Sequence, residues 1–224
     1  MNIKVGSYNI RNGLDVKHDF SVIARDITEA GLDICGIQEV DMFTSRNGMQ
    51  DTMALLAEHT GHAYYRFVKT IDFAGGDYGT AILSKHPIVD FEAVPLYSEG
   101  IENRVLGHAV IEIDGEKIDF FNTHLAFESQ EIQLIQFSEV AKIFGKCDKA
   151  ILTGDFNTDR FERFDAFENA SKLNNSQNTL LSFEHRAAID NIVVSESGTI
   201  AGGGMLTTQP DHSDHRMLYA EIKF

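Results

Sequence analysis

The stretch LDICGIQEV at residues 32–40 constrains the fold of this chain more than any other. It is a near-continuous apolar run, the pattern of a strand covered on both faces, so the chain must place one layer above it and another below. Upstream, IKVGSYNI alternates apolar residues along a second strand that runs to Asn9. Between the two, FSVIARDITEAG sets Phe20, Ile23 and Ile27 at helical spacing and closes at Gly31, a helix stop. The opening therefore predicts strand, helix, strand.

A second helix is predicted at MQDTMALLAEHTG, followed by strands at AYYRFVKTI, YGTAILSK, IVDFEAVPL, RVLGHAVIEID and EKIDFFNTHL. The turn signals AGGD, KHP and DGE between them predict hairpins in an antiparallel or mixed sheet. Gly79, inside a strand, reads as a point of close backbone approach. In EIQLIQFSEVAKIFGK, a stripe of Leu134, Phe137, Ala141 and Phe144, widened by Ile132, Ile135, Val140 and Ile143, predicts a helix packed broadly on a sheet. The second half continues with a strand at KAILTGDFN, a helix at RFERFDAFENA, a polar stretch, and strands at IDNIVVS, TIAGGGML and HRMLYAEIKF. No linker or composition break divides the 224 residues, and one domain spanning 1–224 is expected.

Charge narrows the function. With 34 Asp and Glu against 19 Lys and Arg, the formal net charge is −15. Such a surface repels polyanions and disfavours sequence-independent nucleic-acid binding, although part of the acid can serve a divalent cation. Cys35 and Cys147, the two cysteines, have no metal-like or redox-like spacing, and Cys35 reads as a small buried hydrophobe. No stretch has the apolar length of a membrane span, and no leader pattern opens the chain, so a cytoplasmic location is expected. Nothing in the sequence sets the oligomeric state.

Chemistry concentrates where apolar strands end: YNIRN, IQEVD, NTHL, TGDFN and SDH. Asn9 and Glu39 offer hard oxygen donors suited to Mg²⁺ or Mn²⁺. Asp155 and Asn157, on alternate positions of one extended segment, point to the same side, where a carboxylate can deprotonate water while a carboxamide binds developing negative charge. His124 can donate to a phosphate oxygen. Each has a local alternative: Asn9 as a turn residue, Glu39 as a solvated strand end, Asp155 as a helix cap.

Taken in order, SYNIRNG, DICGIQEVD, GGDYGTAILSKHPI, FNTHL, LTGDFN, IDNIVVS and SDHRML resemble the endonuclease/exonuclease/phosphatase superfamily of metal-dependent phosphohydrolases. The likeness spans nearly the whole chain. It implies a DNase I-like, four-layer α/β/β/α sandwich in which two mixed β-sheets pack face to face. It implies Asn9 and Glu39 as metal ligands, Asp155 as the water-activating carboxylate with Asn157 beside it, and His124 as a phosphate contact. Asp190 matches the acidic residue before the last strands, and Asp214 and His215 match the terminal SDH. Of the two Asp-His pairs in PDHSDH, His212 is then the bystander, and Asp211 and His212 are expected in a solvated loop.

The implied reaction is in-line attack of water at phosphorus, assisted by Mg²⁺ (or Mn²⁺), with His215 oriented by Asp190 or Asp214. Arg104 begins a strand and serves either the phosphate cleft or an ion pair on its rim. The favoured substrate is a small-molecule or lipid-derived phosphoester. A DNA or RNA nuclease with the same catalytic set is the competing reading, weakened because the loops FTSRNGMQ and TDRFERF carry only Arg46, Arg160 and Arg163 among acids. A phospho-binding scaffold without activity is the third, and its signature, an emptied motif position, is missing.

Overall fold

The strand pattern resolves into two six-stranded sheets in a computed structural model that describes residues 1–208 and 210–224. β1 (Asn2–Asn9), α1 (Phe20–Glu29) and β2 (Ile34–Met42) form the predicted opening unit, and α2 (Thr52–Thr60) follows. Next come β3 (Tyr64–Phe73), β4 (Gly76–Ser84), β5 (Ile88–Leu96), β6 (Arg104–Ile113) and β7 (Glu116–His124). α3 (Gln130–Phe144) crosses to β8 (Ala150–Asp155), and β9 (Ser171–Lys172), β10 (Asp190–Val194), β11 (Thr199–Met205) and β12 (Leu218–Lys223) complete the chain.

One sheet has the order β11-β12-β1-β2-β4-β3 and the other β5-β6-β7-β8-β10-β9. Each contains a single parallel pair at its centre, β1 with β2 and β7 with β8, and each of those pairs is joined by a helical crossover, α1 or α3. The remaining pairings are antiparallel, so both sheets are mixed. Ile34, Ile82, Phe120, Ile151 and Ile192 fill the space between the sheets, while Ile23 and Ile27 of α1 and Phe137 and Val140 of α3 cover the outer faces. This is the expected four-layer sandwich. At about 1.5–3 kcal/mol for each fully buried large side chain, these three clusters supply the main drive for layering.

Local chemistry sets the helix ends. Asp19 and Asp51 cap α1 and α2 by accepting from Ser21 N and Ala54 N, and Gly61 ends α2 at φ +73°. Gly79 sits where β3 bulges, and a Cβ there would fall 1.9 Å from Val68 O. Gly36 lets the two sheets approach, because a Cβ would fall 2.0 Å from Thr153 Oγ1 and 2.6 Å from Asn122 Oδ1.

Two helical expectations need correction. Leu134 and Ile135 of α3 face solvent, and the buried stripe is Gln133, Gln136, Phe137, Val140 and Phe144. The glutamines are buried because they serve backbone groups: Gln133 Nε2 donates to Phe156 O and Asn157 O at 3.1 and 3.0 Å, and Gln136 Nε2 donates to Tyr97 O at 2.8 Å. The segment RFERFDAFENA forms only a 3-10 turn at Phe161–Ala166. Phe164 and Phe167 fold it inward, meeting Phe137 and Phe144 edge-on at 5.3 and 5.6 Å.

Candidate active site

The parallel pairs β1/β2 and β7/β8 point their carboxyl ends the same way, which is where side chains can converge outside a parallel sheet. Asn9 is the last residue of β1, His124 of β7 and Asp155 of β8. Asp190 opens β10 in register with Asp155, and His215 lies just before β12, which runs antiparallel to β1. The topology thus gathers one residue from each of five strand ends.

Asn9 links the two sheets. Its Nδ2 donates to Glu39 Oε1 and to Asp155 Oδ2, both at 3.0 Å, and its Oδ1 accepts from Arg11 N at 3.0 Å. Glu39 reaches it through a bulge: the β2–β4 register shifts between Ile37 and Val40, and Glu39 takes φ +56°. A left-handed glutamate costs roughly 1–3 kcal/mol, and the bulge turns its side chain into the site. Burial raises the Glu39 carboxyl above its ordinary range, against the opposing hydrogen bond from Asn9.

His215 Nδ1 donates to Asp190 Oδ2 at 2.8 Å, and its Nε2 stands 3.6 Å from Asp155 Oδ2. Ser182 Oγ donates to the same Asp190 oxygen at 2.6 Å, and the Phe183 ring lies 4.8 Å from the imidazole. Burial disfavours the imidazolium, but Asp190, Asp155 and Asp214 outweigh it and raise His215 to about 10. Burial and repulsion from Asp190 raise Asp155 to about 7, with His215 opposing. Asp190, not Asp214, orients the histidine, because Asp214 Oδ2 pairs with Arg11 Nε at 3.2 Å.

Asn157 departs from expectation. It lies past the end of β8 at φ +50°, so the segment is a turn closed by Asn157 N donating to Asp155 Oδ1 at 2.9 Å. Its Nδ2 donates to Leu125 O at 2.9 Å. His124 is buried, 3.5 Å from Asp155 Oδ2, and burial together with Arg104 and His215 keeps it neutral. Arg104 is 3% exposed and pairs with Glu102 at 3.0 Å and Glu128 at 3.5 Å, close enough to His124 to act on its charge.

The expected solvated loop at Asp211 and His212 is instead tied down. His212 Nδ1 lies 3.0 Å from Asp26 Oδ2 on α1, and Tyr8 donates to that oxygen at 2.9 Å. Asp26 is 1% exposed, and such a buried carboxylate draws a partner. Asp211 pairs with His185 and Arg216. His212 still stays outside the Asp155–His215 group.

Sequence reasoning missed Ser182, Phe183, Gln133 and Arg11. Ser182 and Phe183 lie in an unpatterned polar stretch with no signal of their own. Gln133 had one, since two glutamines three apart interrupt the apolar stripe of α3.

The donor set fits a divalent cation. Glu39, Asp155, Asp190 and Asp214 gather from four segments at one end of the sandwich, and Asp190 Oδ1 is buried without a hydrogen-bond partner. One atom from each of Asp155, Asp190 and His215 lies within 4.8 Å of the others, and of the three only the carboxylates offer donors to a cation while His215 is an imidazolium. Oxygen donors dominate and no thiol is near, which suits a hard ion.

A sandwich of two mixed sheets with an acidic, histidine-bearing site at one end is DNase I-like, and the class it defines is that of phosphoester hydrolases. The chain belongs to the endonuclease/exonuclease/phosphatase family, whose model matches residues 6–215. Members of that family are metal-dependent hydrolytic phosphoesterases, and this protein is an enzyme of that kind. Its structure is similar to an endonuclease/exonuclease/phosphatase from Beutenbergia cavernae (TM-score 0.84, 18% identity, covering 100% of this chain and 72% of that one). It is also similar to a mannosyl-6-phosphatase from Bacteroides thetaiotaomicron (0.77, 22%, 99% and 100%) and to D. rerio TDP2 complexed with a single-strand DNA product (0.78, 16%, 100% and 99%). No curated protein sequence matches the chain.

Proposed function

We propose that the protein is a Mg²⁺-dependent (or Mn²⁺-dependent) phosphoesterase that hydrolyses a small-molecule or lipid-derived phosphoester, as a single domain over 1–224. The observation that carries this reading is the Asp155–His215–Asp190 group. A carboxylate held near 7 is suited to take a proton from water at neutral pH, and an imidazolium held near 10 stays positive beside it.

Asn9 and Glu39 are the assigned ligands of the ion. When bound, the ion supplies positive charge against the phosphoryl oxygens. Asp155, fixed by Asn157 N and Asn9 Nδ2, accepts the proton of the attacking water. Asn157 commits one amide hydrogen to Leu125 O and has the second for a phosphoryl oxygen. His124, neutral and buried, donates to another. His215, held by Asp190, faces the charge that develops in the transition state, where fixed donors in a water-poor site are most effective.

The acidic surface and the arginine pairings support the small-molecule side of the reading. Arg46 is held by Asp41 and stacks 4.3 Å from Phe73, Arg104 is held by Glu102 and Glu128, and Arg11 by Asp15 and Asp214. None of the three is free to follow a polyanion, which leaves Arg160 and Arg163, among the described residues, as the unpaired arginines of the two candidate loops. No helix among the described residues is long and apolar enough to cross a membrane. A reducing, cytoplasmic setting belongs to the same reading, supported by the free thiols of Cys35 and Cys147.

The test is a substrate panel in Mg²⁺, with and without EDTA: 4-nitrophenyl phosphate, bis(4-nitrophenyl) phosphate, phospholipid vesicles and supercoiled plasmid. EDTA-sensitive turnover highest on the small or lipid esters is expected. Plasmid cleavage outpacing all of them would move the enzyme to the nucleases.

A further inference from the structure

Beside Asn157 the site opens into a cavity of about 410 Å³, lined by Phe127, Arg160, Arg163 and Phe183 among others. That volume is in the range of pockets that hold one small ligand. Arg160 immediately precedes the 3-10 turn that contains Arg163, and Arg163 N donates to Arg160 O at 3.0 Å, so one turn of chain separates the two and both line the cavity. Two guanidinium groups are thereby brought to one wall of the cavity.

These arginines stand apart from most of their kind in the chain. Arg11, Arg46, Arg104, Arg186 and Arg216 all pair with carboxylates. Among the described residues, Arg160 and Arg163 form no ion pair, although the protein carries a net charge of −15 and Asp159 is adjacent. Arg163 is half-buried, and burial and then repulsion from Arg160 lower its pKa. Glu162 lies between them in the chain and partly offsets the charge of Arg163 without forming an ion pair, so the two guanidinium groups keep positive charge that an external dianion relieves, and the guanidinium fork matches phosphate geometry.

The rest of the lining connects this wall to the reacting centre. Phe183 packs 4.8 Å from His215, so it borders both the cavity and the catalytic group. Phe127, at 69% exposure, presents its ring to solvent at the rim. Gln133 fixes the floor through its bonds to Phe156 O and Asn157 O. A substrate with its scissile phosphate at His215 and Asn157 can cross the Phe183 face and reach the arginines.

We propose that this cavity is a substrate subsite for a second phosphate, so that the preferred substrate is a small bisphosphorylated compound whose two phosphates are separated by a short apolar or planar spacer. The inference rests on the phosphoesterase reading and deepens it. Cleavage occurs at the phosphate beside His215, with water supplying the oxygen to phosphorus and the spacer alcohol leaving with a proton, while the second phosphate stays intact on the arginines.

The experiment compares short, medium and long alkanediol bisphosphates with the monophosphates of the same alkanediols, for the wild type and for Arg160→Gln, Arg163→Gln and the double variant. At least one bisphosphate should exceed its monophosphate in kcat/KM by about tenfold or more, mainly through KM, as charge-assisted bonds to a dianion imply. The double variant should lose at least about tenfold more kcat/KM on that bisphosphate than on its monophosphate. Equal kcat/KM at every length, or a preference that survives in the double variant, overturns the proposal, as does a short thymidylate oligonucleotide turned over faster than every bisphosphate. Calorimetric binding of the same pairs separates the two readings. If the wild type hydrolyses none of them yet binds a bisphosphate more tightly than its monophosphate, and the double variant does not, the subsite stands and the phosphoesterase reading fails; no difference in binding overturns the subsite itself.

Discussion

Asp190→Asn is the substitution that bears most directly on the electrostatics of the site. It keeps an oxygen opposite His215 Nδ1, now 2.8 Å from Asp190, and removes one negative charge. Against burial, Asp190 is the first of the charges that raise His215 to about 10. An opposite charge at this range is worth about 1–3 pKa units, and the ionic hydrogen bond is lost with it, so the variant should titrate near about 7–8. At pH 8 the protonated fraction then falls from about 99% to about 10–50%, equivalent to about 3–4 kcal/mol less preference for the cation. Turnover at pH 8 should drop about 100-fold or more, because the charge facing the transition state is weakened. The stability consequence has a definite sign. A folded-state value raised above the ordinary 6.5 stabilises fully below about 6.5, and the gain is lost as pH rises through about 10, so the wild type should lose an alkaline margin that the variant lacks. Histidine ring NMR from pH 5 to 11 on metal-free protein reads the titration. A His215 titration unchanged in the variant, or turnover within about twofold of wild type, would refute the reasoning.

Other substitutions separate ligand, bystander and scaffold. Glu39→Ala should abolish activity at ordinary Mg²⁺ while leaving thermal unfolding nearly unchanged, since it removes a carboxyl whose charge burial penalises and leaves the left-handed backbone as it was; unchanged turnover in an initial-rate assay would remove Glu39 from the site. His212→Ala should cost about 1–2 kcal/mol in urea unfolding by leaving the buried Asp26 with fewer partners, and should spare turnover, whereas His215→Ala costs orders of magnitude; the reverse ranking would exchange their roles. Gly36→Ala should destabilise the fold by about 1–3 kcal/mol or more, because its methyl meets Thr153 and Asn122 across the sheet interface; a variant as stable as wild type in the same assay would show that the sheets separate freely there.

Much of this architecture is legible locally. LDICGIQEV demands cover on both faces, and β2 has it, with α1 on one side and the second sheet on the other. The strand ends YNIRN, IQEVD, NTHL, TGDFN and SDH mark where the sheets deliver polar groups, and their order along the chain carries the family likeness. What the sequence hides is set by long-range pairing or backbone strain. The left-handed turn at Asn157 looks like a continuation of β8 until its hydrogen bonds are known. The apolar residues of α3 suggest a face that includes Leu134, but buried backbone carbonyls near the site require the amide of Gln133, and that need turns the helix. His212 reads as solvated because its partner, Asp26, is 186 positions away. Ser182 and Phe183 approach His215 only because residues 183 and 215 pair across two loops.

Asp155 is the residue on which the proposed chemistry depends. Initial rates of Mg²⁺-dependent hydrolysis of bis(4-nitrophenyl) phosphate should be measured for the wild type and Asp155→Asn, with thermal unfolding of both recorded at pH 8. Because burial and Asp190 hold the folded-state carboxyl at about 7, well above its ordinary 3.8, ionised Asp155 is a cost to the fold that builds as pH rises from about 3.8 to about 7 and is fully present at pH 8. The variant should therefore lose at least about 1,000-fold in kcat without a lower Tm. Turnover near wild type in a folded Asp155→Asn variant would contradict the account.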